Sequence, residues 1–406
     1  MAVGPATFPE IMHPIAGFKL GTASAGIKTP GRKDVVLMEL CPEATVAGVF
    51  TLNAFCAAPV QICKKHLAVS PARYLVVNTG NANAGTGEEG YQDAVATCEA
   101  VAELCQIDAA SVLPFSTGVI GEKLPVEKLI SALPAAREAL SESGWAEAAE
   151  GIMTTDTRIK GASCQFEYQG QTVSLTGISK GSGMIKPNMA TMLGYVATDA
   201  CVDAELLQTL LREATDCSFN RITVDSDTST NDSCMLVATG RSGVVVDGVD
   251  TELLQRFAQA LNELMQDLAH AIVRDGEGAT KFVTVQVESA ATQDEALKTA
   301  FDIAHSPLVK TALFASDPNW GRILAVVGRA GIPDLDLDTL QIYLGDVCIV
   351  SNGGRDANYT ESAGQAVMDQ EEILIRVVLN RGDVVETVWT TDLSQEYVSI
   401  NADYRS

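Results

Sequence analysis

The sequence is poor in basic residues and in long apolar segments. Its 406 residues include 28 Lys and Arg against 52 Asp and Glu, which gives a formal net charge of −24. This excess of negative charge repels nucleic-acid backbones and anionic lipid, so neither is an expected partner. No apolar run reaches the roughly 18 residues of a membrane span. The first residues, MAVGPATFPEIMHPIAGF, lack the basic and apolar regions of a secretory signal. We therefore expect a cytoplasmic protein.

Histidines are few and cysteine pairs are absent. The four histidines, at positions 13, 66, 270 and 305, have no ligand spacing, so a His-based triad or metal site has little support. The ten cysteines form no Cys-x-x-Cys pair, and most lie in apolar segments. Scattered cysteines of this kind are usually small core residues in a reducing compartment. We expect neither a zinc site nor a disulfide framework, and no bound cofactor.

The composition is that of a folded protein with a large core, because 47% of the residues are hydrophobic. The length exceeds one average domain, which suggests two lobes or one large α/β body with a small appendage. Strand-like runs alternate with helical stretches, without an internal repeat and without a Pro/Ser-rich linker. This order favours a layered α/β or α+β fold with considerable antiparallel pairing.

Hydrophobic periodicity predicts the main elements. Strands are expected near 34–40, 44–50, 73–78, 191–200 and 280–289, and in RITVDSDTSTND before its polar loop. Further strands are expected in LQIYLGDVCIV, EEILIRVVLN and DVVETVWTTDL, and VLPFSTGVIGEKLP (112–125) is expected to form a strand, a turn and the start of a helix. Helices are expected near 91–105, 202–216 and 251–273, with Asp203 as the N-terminal cap of the second.

Two Gly-rich polar segments are candidate sites. Lys180-Gly181-Ser182-Gly183 matches no phosphate-binding pattern, and a plain turn explains its glycines equally well. Thr191, a short distance further on, has the ordinary interpretation of a β-forming residue that opens an apolar strand. In Ser116-Thr117-Gly118, a backbone N–H and a neighbouring hydroxyl could form an oxyanion hole. The alternative is an ordinary strand-to-helix turn.

Three further segments have both ordinary and functional interpretations. Thr154-Thr155-Asp156-Thr157 is typical of a helix cap or a Ser/Thr turn. In Asp275-Gly276-Glu277-Gly278, the first glycine suits a helix C-cap, and Glu277 is either a solvated loop carboxylate or a functional group oddly placed between two glycines. The terminal segment 401–406 has the ordinary interpretation of a frayed end, because terminal residues are usually poorly ordered.

Together these segments resemble the ornithine acetyltransferase family, the glutamate N-acetyltransferases or bifunctional proteins of arginine biosynthesis. The matching stretches are NTGNANAGTG, STGVIGEKLP, MTTDT, KGSGMIKPNMATMLGYVATDA, TVDSDTSTNDS, RDGEGATKF, ASDPNWGR, NGGRDANYTE and NADYRS. They cover nearly the whole chain in family order, and nine together are highly specific.

The resemblance implies a layered α/β sandwich of the self-cleaving, N-terminal-nucleophile-like type. It implies a cut between Ala190 and Thr191, which gives an alpha chain of residues 1–190 and a beta chain of residues 191–406. The beta chain would begin with the nucleophile Thr191 and end with a tail in the active site. The implied assembly is a heterotetramer of two alpha and two beta chains.

The implied reaction moves an acetyl group from N2-acetylornithine to glutamate by a ping-pong mechanism, with acetyl-CoA as an additional co-substrate in bifunctional members. Thr117 and Gly118 would form the oxyanion hole. The implied substrate-binding residues are Thr154, Lys180, Thr191, Glu277, Asn401 and Ser406. The alternatives are a self-processing N-terminal-nucleophile aminopeptidase or hydrolase and, more distantly, a non-enzymatic amino-acid-binding protein.

Overall fold

The computed structural model describes residues 2–5, 8–186 and 192–403. The strands of this described part are β1 (Phe18–Ala23), β2 (Val35–Leu40), β3 (Thr45–Phe50), β4 (Tyr74–Asn81), β5 (Val112–Val119), β6 (Lys160–Tyr168), β7 (Gln171–Lys180), β8 (Leu193–Thr198), β9 (Cys201–Val202), β10 (Ser233–Ala238), β11 (Val245–Val246), β12 (Phe282–Ala290), β13 (Gln341–Leu344), β14 (Val347–Ser351), β15 (Gly354–Arg355), β16 (Glu372–Val378) and β17 (Val384–Thr391). The α-helices are α1 (Ala58–Leu67), α2 (Gly87–Cys105), α3 (Val126–Glu138), α4 (Trp145–Gly151), α5 (Ala204–Cys217), α6 (Thr251–Arg274), α7 (Gln293–Ala304), α8 (Pro307–Phe314), α9 (Trp320–Arg329), α10 (Glu361–Met368) and α11 (Gln395–Ala402).

The chain divides into two compact units. The larger comprises Thr7–Asn220 and Asp227–Ile272, and the smaller comprises Met1–Ala6, Arg221–Ser226 and Val273–Ser406. Residues on both sides of position 190 belong to the larger unit. The implied division into chains 1–190 and 191–406 concerns covalent continuity, so it stays a prediction.

The larger unit is a layered sandwich. Its first sheet has the order β1-β2-β4-β5, and its second has the order β3-β10-β8-β7-β6. The two sheets share one apolar cluster, to which Phe18, Val77 and Phe115 contribute from the first sheet and Tyr195 and Met235 from the second. A second cluster joins the other face of the first sheet to α2 and α3, while α5 packs on β3 and β10 of the second sheet. The predicted layered α/β sandwich is confirmed.

The described residues of the smaller unit form one sheet, with the order β15-β14-β13-β16-β12-β17. Within this sheet β12 and β16 pair in parallel, and the other neighbours are antiparallel. Helices α7 and α9 contribute Ile303 and Val327 to a cluster that also contains Val285, Ile342 and Ile375 of the sheet. The alternation of apolar residues along these strands therefore buries one face of the sheet.

Local sequence determines several boundaries directly. The Asp203 carboxylate accepts the backbone N–H groups of Glu205 and Leu206, each at 3.0 Å, so the predicted cap of α5 is confirmed. Helix α6 extends one residue beyond its expected end at 273. No helix of the described residues is both long and apolar enough to cross a membrane.

The prediction of a strand in RITVDSDTSTND is wrong. Ile222 forms only an isolated bridge with Trp389, and the Thr223 N–H donates to the Trp389 carbonyl at 3.0 Å. Ser226 then has a φ of 69°, a left-handed conformation that ends the extended backbone. A short apolar start followed by Asp and Ser therefore yields one bridge and a loop.

The cysteine prediction is partly correct. Cys63, Cys98 and Cys234 are buried, as expected of small core residues. Cys201 and Cys217 are exposed, because one lies on the short strand β9 and the other ends helix α5.

Candidate functional site

The structure brings together two of the predicted site residues, Lys180 and Thr117. Lys180 is the last residue of β7 in the second sheet, and Thr117 lies near the end of β5 in the first. The Lys180 Nζ donates a long hydrogen bond of 3.4 Å to the Thr117 Oγ1. Both side chains are half-buried. A cation and a hydroxyl thus meet where two packed sheets end, which suits the binding of an anionic group.

Gly118 lies inside β5, so the ordinary-turn interpretation of this segment is wrong. It pairs with Gly80 of the parallel neighbour β4, where the register becomes irregular. Its φ is 137°, and a Cβ at this position would lie 2.3 Å from the Gly80 carbonyl carbon. The close approach of two backbones therefore requires glycine here.

Replacement of Gly118 by alanine is expected to lower the free energy of unfolding by about 2–3 kcal/mol, because the methyl group overlaps the neighbouring backbone. The matched control is Gly121→Ala. Gly121 also has a positive φ, of 81°, but a methyl group there would have no described atom within 4 Å beyond its chain neighbours. Urea denaturation should show a loss near 1 kcal/mol for the control, which is about the cost of the backbone conformation alone. Equal losses in the two variants would mean that the backbone contact has no special effect.

Asp156 joins two of the candidate segments. Its Oδ2 accepts the Thr154 N–H at 2.9 Å, and its Oδ1 accepts the Gly181 N–H at 2.7 Å. The same Oδ1 accepts from the Lys160 Nζ at 2.6 Å in a fully buried ion pair. No helix begins at Thr154, so the helix-cap interpretation is wrong. Asp156 was not among the predicted site residues.

Two buried carboxyl groups near Lys180 have opposite protonation preferences. Burial alone would raise the pKa of Asp156, but the charges of Lys160 and Lys180 and the bonds from Lys160 and Thr154 hold that pKa well below its usual range. Burial raises the pKa of Asp232 well above its usual range, and bonds from Ser229 and the charge of Lys180 only partly offset this. Burial therefore favours the protonated form of Asp232, whereas the neighbouring cations favour the ionised form of Asp156.

Glu277 and Asn401 are brought together in the smaller unit. Glu277 is only 7% exposed, so the solvated-loop interpretation is wrong. Its Oε2 accepts from the Asn401 Nδ2 at 2.8 Å, and the same Nδ2 also donates to the Tyr397 carbonyl at 3.0 Å. Helix α11 therefore lies against the loop that carries the carboxylate, and the segment at 401–402 is helical rather than frayed.

The left-handed glycine of this loop is Gly278 and not Gly276. Gly278 has a φ of 68°, and a Cβ there would lie 2.5 Å from the Tyr397 backbone nitrogen. Its carbonyl accepts the Ser394 hydroxyl at 2.6 Å. Gly276 closes the end of α6 through a 3.1 Å bond from its N–H to the Val273 carbonyl, without a left-handed conformation.

The implied cut falls between two paired strands. Lys180 at the end of β7 pairs with Leu193 at the start of β8, and Leu193 also pairs with Ser233 of β10. The second sheet thus combines strands from before and after position 190. Ala190, Thr191 and Ser406 lie outside the described residues, so their predicted roles stay predictions.

Asn231 and Asp232 were also missed by the sequence analysis. Both are buried, and both lie directly before β10. Their segment, TVDSDTSTNDS, contributed to the resemblance, but only tertiary contacts distinguish these two residues from its other polar residues.

Comparison with known proteins identifies the family of this chain. The ArgJ family profile matches residues 19–406. The arginine biosynthesis bifunctional proteins ArgJ of Pseudomonas fluorescens and Pseudomonas syringae pv. tomato are 61% and 59% identical over 407 residues, with 100% of both chains covered in each comparison. A solved structure of the arginine biosynthesis bifunctional protein argJ from Bacillus halodurans is 38% identical with a TM-score of 0.50. That match covers 52% of this chain and 99% of the other.

These matches favour the predicted transferase of arginine biosynthesis over the self-processing hydrolase alternative. Agreement over the full length, with the family profile across nearly the whole sequence, shows that this chain belongs to the ArgJ family.

Proposed function

We propose that the chain transfers an acetyl group from N2-acetylornithine to glutamate through an acetyl-threonine intermediate, and also acetylates glutamate from acetyl-CoA. The observation that carries this proposal is the contact between Lys180 and Thr117, beside the start of β8. Here a cation for a substrate carboxylate and a hydroxyl for an oxyanion lie where the strand that follows Thr191 begins.

Self-processing creates the nucleophile in this proposal. The Thr191 hydroxyl attacks the Ala190 carbonyl, and an N→O acyl shift gives an ester with a free amino group on Thr191. Water hydrolyses the ester and leaves Ala190 with a new carboxylate. The matched Bacillus halodurans chain corresponds to about half of this one, 52%, which is a length consistent with one product of such a cut.

The same amino group then acts as the base. A threonine hydroxyl is a weak nucleophile without a proton acceptor, and an α-amine has an intrinsic pKa of about 7.7–8.0. Near pH 7 a fraction of this α-amine is neutral, and the neutral form accepts the hydroxyl proton when Thr191 attacks the acetyl carbonyl. Ornithine leaves, and the glutamate amine takes the acetyl group in a second attack, with no bound cofactor.

Thr117 and Gly118 stabilise the tetrahedral oxyanion in both half-reactions. The Thr117 hydroxyl and the Gly118 N–H are the assigned donors. Removal of one donor of this type typically costs about 3 kcal/mol of transition-state stabilisation, or roughly a hundredfold in rate. The close packing of Gly118 against Gly80 supports this assignment, because a fixed backbone holds a donor without reorganisation.

The remaining roles concern substrate charge. Lys180 pairs with the substrate α-carboxylate, and Glu277 pairs with an ammonium group. Thr154, Asn401 and Ser406 add hydrogen bonds. The hydrogen bond from Asn401 to the buried Glu277 supports their assignment, because it holds a carboxylate in a fixed orientation. We place the enzyme in the cytoplasm, as a heterotetramer of two alpha and two beta chains.

The purified protein, incubated with N2-acetylornithine and saturating glutamate, is expected to form N-acetylglutamate and ornithine in equal amounts with little free acetate. Liquid chromatography with mass detection measures all three products. A preponderance of acetate would identify a hydrolase instead. A parallel reaction with glutamate and acetyl-CoA alone tests the second activity, and absence of N-acetylglutamate there would restrict the enzyme to acetyl recycling.

A further inference from the structure

Asn231 connects the two sheets of the larger unit. It is only 7% exposed and lies two residues before the start of β10. Its Nδ2 donates to the Ala82 carbonyl at 2.6 Å and to the Ser116 carbonyl at 2.9 Å. Its Oδ1 accepts the Thr230 hydroxyl at 2.6 Å, which fixes the orientation of the amide. Every polar atom of this side chain therefore has a partner.

The bond to Ser116 constrains the next residue. The Ser116 carbonyl and the Thr117 N–H belong to one planar peptide group, so a fixed carbonyl also fixes the direction of that N–H. The Ser116 hydroxyl donates to the Asn78 Oδ1 at 2.6 Å, and the Asn78 Nδ2 donates to the Asn81 carbonyl at 2.9 Å. The residue before Thr117 is thus held through both its backbone and its side chain.

After Asn231, the chain continues into β10, the strand that pairs with β8. The Ser233 N–H donates to the Met192 carbonyl at 3.0 Å, and Met192 directly follows Thr191 in the sequence. Asn231 therefore lies on a short bonded path from the end of β5 to the beginning of β8.

We propose that Asn231 is a positioning residue, which sets the orientation of the Thr117-Gly118 segment and its distance from the start of β8. The inference rests on the proposed function, since it concerns the donors assigned to the oxyanion. Asn231 acts through the Ser116 peptide and touches no substrate. Replacement of Asn231 should weaken transition-state stabilisation more than substrate binding, because small displacements of catalytic groups lower the rate steeply.

The variant Asn231→Asp tests this inference. Aspartate keeps the shape of the side chain but removes both amide protons and places an acceptor oxygen next to two carbonyls. We expect kcat for acetyl transfer to fall about 10- to 100-fold while KM for N2-acetylornithine changes less than about threefold.

The matched control is Asn83→Asp. Asn83 is fully buried, and its Nδ2 likewise donates to a carbonyl, that of Gly90, at 2.8 Å. Its amide therefore holds the start of α2 and not the residues at 116–118. We expect the control to lose similar thermal stability and to keep kcat within about twofold. A fall in kcat that follows the loss of stability equally in both variants would overturn the inference.

A milder variant, Thr230→Val, keeps the test decisive if Asn231→Asp does not fold. It removes only the hydroxyl that orients the Asn231 amide, so kcat should fall about threefold or more with KM unchanged. An unchanged kcat in Thr230→Val, or in a folded Asn231→Asp, would overturn the positioning role of Asn231 but not the proposed function. Absence of acetyl transfer by the unmodified enzyme would instead overturn the proposed function.

Discussion

Replacement of Thr191 by alanine is expected to leave a single chain of 406 residues without acetyltransferase activity. The variant lacks the hydroxyl that performs both proposed steps, the cut after Ala190 and the attack on the acetyl group. Without the cut, residue 191 also has no free amino group to accept a proton. Acetyltransferase activity should therefore be lost completely, to the level of a reaction without enzyme.

Denaturing electrophoresis and intact-mass measurement would follow the cut, and N-acetylglutamate formation would follow the activity. The control Thr191→Ser retains a hydroxyl and should still be cut and active, at reduced rates. Circular dichroism should show an unchanged fold in both variants. Cleavage of Thr191→Ala after Ala190, or sequencing that finds no amino-terminal Thr-Met-Leu-Gly in the active enzyme, would contradict the assignment.

Replacement of Asp156 by asparagine is expected to lower the free energy of unfolding by about 3–5 kcal/mol near neutral pH. The Lys160 side chain is only 1% exposed, and the substitution removes the carboxylate charge of this buried ion pair. The matched control is Glu150→Gln, which breaks a more exposed pair with Lys33 and should cost less than about 1 kcal/mol. Similar losses in the two variants would mean that burial of the pair is unimportant.

The Asp156 effect should depend on pH in a definite direction. Because the folded-state pKa of Asp156 is lowered, its charge stabilises the fold above the unfolded-state pKa of about 3.9. This contribution decreases as the pH falls through the lower folded-state pKa. Urea denaturation should therefore show that the unmodified protein and Asp156→Asn differ most in free energy of unfolding near neutral pH. The difference should be smaller well below about pH 4.

Local sequence was sufficient for the elements whose causes are local. The cap at Asp203 and the long helix that begins at Thr251 follow from side chains within a few residues. The segment at 221–226 was wrongly predicted as a strand. Its first residues have high β propensity, but the sequence does not show how many of them find a neighbouring strand to pair with. Helices such as Gln293–Ala304 and Trp320–Arg329 were not predicted, although each contributes to the core of the smaller unit.

The residues alone identified candidate segments at Lys180 and at Thr117, but each segment also had an ordinary interpretation. The resemblance of nine segments taken together favoured the functional interpretation. Asp156 and Asn231 depend on partners 25 and 115 residues away, at Gly181 and Ser116. Sequence spacing contains no signal for bonds of that range, so these residues required the folded structure.

The mixed origin of the strands in the second sheet has a consequence for refolding if the chain is cut as proposed. Strand β10 lies between β3 and β8, so strands from both sides of position 190 share backbone ladders. Once the chain is cut there, complete unfolding is also a dissociation. Refolding then becomes a second-order reaction that slows on dilution, and the thermal midpoint rises with protein concentration.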